Sequence, residues 1–132
     1  MLRKFLKDKR GVSETVATAG MTLIMFLLFS LMLQIVILGT FQIAVNEAAF
    51  EAARSAARSS TPYATAVQTA QNFGKGFIAN WSNNVNVTMP QTASQAGQLL
   101  TVQVSYNVPT LLTIFKPTPV YGQSTQILEE QP

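Results

Sequence analysis

Residues 15–46 carry no charged side chain, a run of 32 positions that includes TLIMFLLFSLMLQIVILGTFQIAV. Coiled as a helix at about 1.5 Å per residue, such a run reaches about 48 Å, against a bilayer hydrocarbon core of about 30 Å. One membrane span fits inside it with length to spare. The stretch is longer than the roughly 7 to 15 apolar residues of a secretory signal peptide, and no Pro interrupts it.

The charges fall on either side of this run. Residues 1–11, MLRKFLKDKRG, set the five cations Arg3, Lys4, Lys7, Lys9 and Arg10 against Asp8, a balance of +4. The whole chain of 132 residues carries +3, so everything after the leader sums to −1. Basicity confined to a terminal tag does not form the positive folded face that nucleic acid requires, so no nucleic-acid partner is expected. It does suit a membrane-flanking segment. With only Arg54, Arg58, Lys75 and Lys116 after the run, the positive-inside rule places the N-terminus in the cytoplasm and residues beyond about 46 across the membrane. The expectation is a single-pass protein of the cytoplasmic membrane with a polar head outside.

Helical character continues past the apolar run. Ala44 and the stretch NEAAFEAARSAARSS that follows place Ala at 44, 48, 52 and 56 and again at 49, 53 and 57, two adjacent small-residue rows on one face. Alanine has the highest intrinsic helix propensity, and Glu51 with Arg54 forms a favourable pair three residues apart. These features, with Ser13 as an N-cap, predict one long helix over about 12–59, bent near Gly20 or Gly39. Thr61 followed by Pro62 is a helix-start signal, predicting a second, shorter helix over about 62–79.

After Trp81 the apolar period changes from 3.6 to 2. Val85, Val87 and Met89 alternate with Asn86 and Thr88, and Leu100, Val102, Val104, Tyr106 and Val108 alternate with Thr101, Gln103, Ser105 and Asn107. Residues 119–129 give a weaker third strand, interrupted by Gly122. The fold class expected is α+β: a basic leader at 1–11, a long helix at 12–59 whose membrane segment covers about 15–46, and a head at 60–132. That head carries a small antiparallel sheet of about three strands. Between the last two strands lies PTLLTIFKPTP, whose Leu111, Leu112, Ile114 and Phe115 are bracketed by prolines. They either fold back as core or form an exposed patch for a partner or a membrane surface.

Little in the chain suits catalysis. There is no Cys and no His, which removes thiol nucleophiles, disulfides, imidazole bases and the usual structural zinc ligands. Glu47 and Glu51 lie one turn apart and read as solvated helix charges, and Gly74 and Gly76 stand alone without the rest of a phosphate loop. Asn80 and Asn86 match the glycosylation sequon in NWS and NVT, a pattern that arises by chance in an Asn-, Ser- and Thr-rich segment. The chain is expected not to be an enzyme and to use no cofactor, metal or small-molecule substrate. Glu14 is the residue to single out. It sits at the cytoplasmic edge of the uncharged run, where an ionisable group is either functional or held at headgroup level by the helix dipole.

A basic leader ending in Lys9, Arg10 and Gly11, an acidic residue just after it, and then an uncharged helix resemble a type IV prepilin N-terminus. NEAAFEAARSAARSS, the second helix, VNVTM, TVQVSYNVPTLL and the closing acidic strand, in that order, resemble the TadE-like pseudopilins of tight-adherence (Flp) pilus systems. The resemblance implies a structural subunit or minor pseudopilin. A prepilin peptidase would cut it between Gly11 and Val12, and an assembly platform would insert it into a filament. Family members carry Glu at the fifth mature position; here that position is Val16, and Glu14 is third. On this pattern Glu14 pairs with the freed amine of a neighbouring subunit and sets axial register. Gly39 and the rows Ala44, Ala48, Ala49, Ala52, Ala53, Ala56 and Ala57 offer helix-packing faces to other pilin subunits. The competing expectation is a membrane-anchored adapter or assembly factor that never polymerises.

Overall fold

The computed structural model describes residues 9–112 and 116–129. Most of the leader, the Ile114 and Phe115 part of the Pro-bracketed loop, and Glu130 fall outside the described residues. The architecture is α+β, as the periodicities predict. Helix α1 (Lys9–Ala57) is followed by α2 (Pro62–Phe73), the single-turn α3 (Trp81–Asn84), and strands β1 (Val85–Gln91), β2 (Leu99–Val108) and β3 (Thr118–Ile127). The strands form one antiparallel sheet in the order β1-β2-β3. The chain divides into two compact units, one through Ile35 and one from Val36.

Two boundaries and one cap differ from the sequence reading. Helix α1 begins at Lys9, before Ser13, so Ser13 lies within the helix and is not its cap; the helix is continuous through Gly20 and Gly39. Thr61 starts α2 with Pro62 in the first turn, yet its side chain makes no capping bond; the Ser59 hydroxyl accepts the Thr61 N–H at 3.1 Å instead. Helix α2 stops at Phe73, six residues earlier than expected, with Gly74 as its C-cap lying against the Trp81 indole, where a Cβ would have no room. Residues 74–80 form turns, and Asn80 takes up a left-handed conformation (φ 57°) to start α3.

The body from Val36 is built from elements that alternate in direction. The Gln42 side chain donates to the Tyr121 carbonyl at 2.6 Å, Val45 lies against Gly122, and the Glu129 N–H donates to the Ala57 carbonyl at 2.9 Å. Strand β3 therefore runs in the same direction as α1, β2 opposes it, and β1 follows it again. Helix α2 returns antiparallel from the turn at residues 58–61, where the Ser59 and Thr65 hydroxyls bond at 2.6 Å. One end of the body thus gathers Val36, the α2–β1 connection and the β2–β3 connection. The other end gathers the α1–α2 turn, the β1–β2 connection and the last described residues.

The core lies between the helices and the inner sheet face. Leu100, Val102, Val104, Tyr106 and Val108 of β2 point inward with Val85 and Val120, and face Val45, the Ala rows of α1, and Ala66 and Ala70 of α2. The outer face is a ladder of hydroxyls and amides: Thr101 bonds Thr125 at 2.9 Å, and Thr88 donates to Gln103 at 3.4 Å. Pro90 is accommodated because β1 is an edge strand whose register shifts between Thr88 and Gln91. Among the described residues the one ion pair is Arg58–Glu129 at 3.1 Å, with both side chains more than half exposed. Arg58→Ala is accordingly expected to cost under about 1 kcal/mol in urea unfolding, since an exposed pair is well screened and the Glu129 backbone bond to Ala57 persists.

Candidate functional site

The surface that needs explaining is the N-terminal part of α1. Every residue from Gly11 to Phe29 is exposed, and the exposed set includes Met21, Leu23, Ile24, Met25, Phe26, Leu27, Leu28 and Phe29. An 18-residue window of this helix has a mean hydropathy of 2.6, yet only 11% of it is buried. A core helix of a water-soluble protein would have most of its apolar side chains covered. By length and composition this helix can cross a membrane.

The polar residues within it are adapted to an apolar surrounding. Thr15 donates its hydroxyl to the Gly11 carbonyl at 2.8 Å, Thr18 to Glu14 at 2.9 Å, Thr22 to Thr18 at 2.8 Å and Thr40 to Val36 at 2.9 Å. Each hydroxyl proton is satisfied by its own helix, so none requires water. The small side chains Thr15, Thr18, Ala19 and Thr22 beside Leu23 and Phe26 leave an open groove along this face. Ser30 and Gln34, one turn apart, are the buried residues in the stretch from Gly11 to Val36.

The sequence-predicted positions fall into two groups. Gly11, Val12, Glu14 and Gly39 are exposed on α1, and a Cβ at Gly39 would meet nothing within 4 Å. The scissile bond expected between Gly11 and Val12 lies in the first turn of the helix. The Ala rows require a correction. Ala48, Ala49, Ala52, Ala53 and Ala56 are fully buried, and Ala44 and Ala57 nearly so, by this chain's own sheet and by α2. The face expected to receive a neighbouring subunit's helix is already occupied. Small side chains there bring α1 close to α2 and to the sheet within one chain, most closely where Gly122 meets the Val45 carbonyl.

Other features escaped the sequence reading. Tyr106 is stacked between Phe41, with ring centroids 4.8 Å apart, and Trp81, at 5.1 Å. Trp81 also donates its indole N–H to the Ala70 carbonyl at 2.7 Å, tying α2 to the start of the sheet. The three rings are 40 and 25 positions apart along the chain, and no periodicity links residues so distant. Glu47 is exposed and Glu51 half-buried on α1. No group of metal-ligating side chains occurs among the described residues. No family model, no curated protein and no solved structure matches this chain.

Proposed function

We propose that this chain is a structural subunit or minor pseudopilin of a type IV-like (Tad/Flp) pilus. It is held in the cytoplasmic membrane by α1 before assembly and packs the same helix into a filament core afterwards, with the α+β head outside. One observation carries the reading: a single unbroken helix exposes apolar side chains on all sides over its first half and buries an alanine face against its own sheet over its second. Such a helix needs an apolar surrounding for the first half. Lipid supplies it before assembly, and the helices of neighbouring subunits supply it within a filament. The buried Ala face confines those neighbour contacts to residues before about 44, including Glu14, the Thr groove and Gly39.

Filaments sheared from cells, and the mass of the mature N-terminus, test the reading. Recovery of this chain in sheared filaments, beginning at Val12, supports it. Recovery only in membranes favours the adapter, a reading that the self-covered Ala face also suits. Two substitutions sharpen the test. Gly39→Leu is expected to leave the stability of the isolated chain unchanged, since its Cβ direction is open, while abolishing filaments in which helices approach at Gly39. Glu14→Gln is expected to lose filaments if an amine of the next subunit pairs with that carboxylate, and normal assembly of the variant rules the pairing out.

A further inference from the structure

The two ends of the body from Val36 differ in chemistry. At the end shared by Val36, residues 74–80 and the β2–β3 connection, Phe77 is 66% exposed and Leu111 50%. Lys75 and Lys116 are exposed in the same two connections. Neither connection contains a carboxylate. At the opposite end Leu99, Ile127 and Tyr63 are exposed as well, but there Arg58 is paired with Glu129 and the β1–β2 connection carries no charge. Exposed apolar side chains therefore occur at both ends, and what sets the first apart is a pair of exposed lysines in connections that contain no carboxylate. That end is also where α1 passes into its exposed apolar stretch, with Val36 57% and Ile43 66% exposed within this same body.

We infer that this end of the body rests on the bilayer crossed by α1, with Phe77 and Leu111 entering the headgroup layer and Lys75 and Lys116 pairing with anionic lipid phosphates. The inference rests on the reading of α1 as a membrane span. The two connections are brought together by topology: α2 and β2 both descend toward the end where the helix leaves, so the segments that follow them turn there. Aromatic and lysine side chains are the usual residues of such an interface, the ring at the apolar boundary and the ammonium in the headgroups. The α2–β1 connection supplies a cleft of about 260 Å³ lined by Lys75, Gly76, Phe77, Ile78, Ala79 and Asn80, enough for part of a headgroup. Each lysine near an anionic surface changes the docking equilibrium by about fivefold.

Because the chain has no Cys, single cysteines can be labelled cleanly. The full chain is reconstituted into vesicles of mixed phosphatidylcholine and phosphatidylglycerol with lipid-borne nitroxide quenchers. A fluorophore is placed in turn at Gly76→Cys, whose Cβ direction is open, at Ala96→Cys at the other end, and at Leu28→Cys in the apolar helix. The expected result is strong quenching at 28 and 76 and little at 96. Lys75→Glu together with Lys116→Glu, or vesicles of phosphatidylcholine alone, should lower quenching at 76 while leaving that at 28 unchanged. Quenching at 28 with none at 76 overturns the inference and leaves the membrane span standing. Equal quenching at 76 and 96, or quenching at 76 that ignores lipid charge, overturns it as well. Absence of quenching at 28 overturns the span itself.

Discussion

Gly122→Val should destabilise the head by about 3 kcal/mol, at the top of the range for overpacked sites. A Cβ at this position would lie against the Val45 carbonyl oxygen and carbon and the Asn46 nitrogen, all backbone atoms of α1. A flexible side chain could swing aside, but a helix backbone held by its own hydrogen bonds cannot. Relief requires α1 to lift from β3, which would break the Gln42 bond to the Tyr121 carbonyl and loosen the contact of the Ala face with the sheet. Gly122→Ala should show a smaller effect of the same sign. Urea unfolding of the detergent-solubilised full chain, followed by fluorescence of the single Trp81, measures both; a variant within about 0.5 kcal/mol of the parent refutes the close approach.

Trp81→Ala should cost still more, about 3–5 kcal/mol, as expected for truncating a fully buried indole. Trp81 is 1% exposed, stacks on Tyr106 and tilts against Phe73 at 6.5 Å. Its removal leaves a cavity and strands the Ala70 carbonyl in a dry site. Trp81→Phe keeps a ring in the stack and loses the indole N–H, so it should cost roughly 1–3 kcal/mol, the penalty of the unpaired carbonyl plus imperfect packing. Circular dichroism replaces fluorescence as the readout, since the variants lack the only tryptophan. Equal effects of the two substitutions would assign the whole contribution to the hydrogen bond.

How much of this was legible beforehand depended on the range of each interaction. The α+β order, the long helix and the β2 alternation from Leu100 to Val108 were readable because periodicity is local and repeats many times. The end of α2 was not, and neither was the packing of its C-cap Gly74 against a ring seven residues later in the chain. The Ala rows were visible as a packing face, but their partner was not: periodicity tells which side of a helix is covered and not whether the cover comes from the same chain. In the sequence Gly122 only interrupts a weaker strand. A lone Gly in a strand also marks close backbone approach, and here that was its meaning. The stack of Phe41, Tyr106 and Trp81 left no sequence signal, since each ring reads separately as an apolar residue of its own element.

The threonines of α1 have a further consequence for any neighbour that approaches them. Thr15, Thr18, Thr22 and Thr40 have each committed a hydroxyl proton to the carbonyl one turn back. They keep lone pairs but hold no free donor. A second helix of the same sequence meeting this stripe brings the same committed groups, so neither side can offer a directional bond to the other. Contact along this stripe is a matter of contour alone, so any directional bond that sets the register of two such helices has to come from other positions.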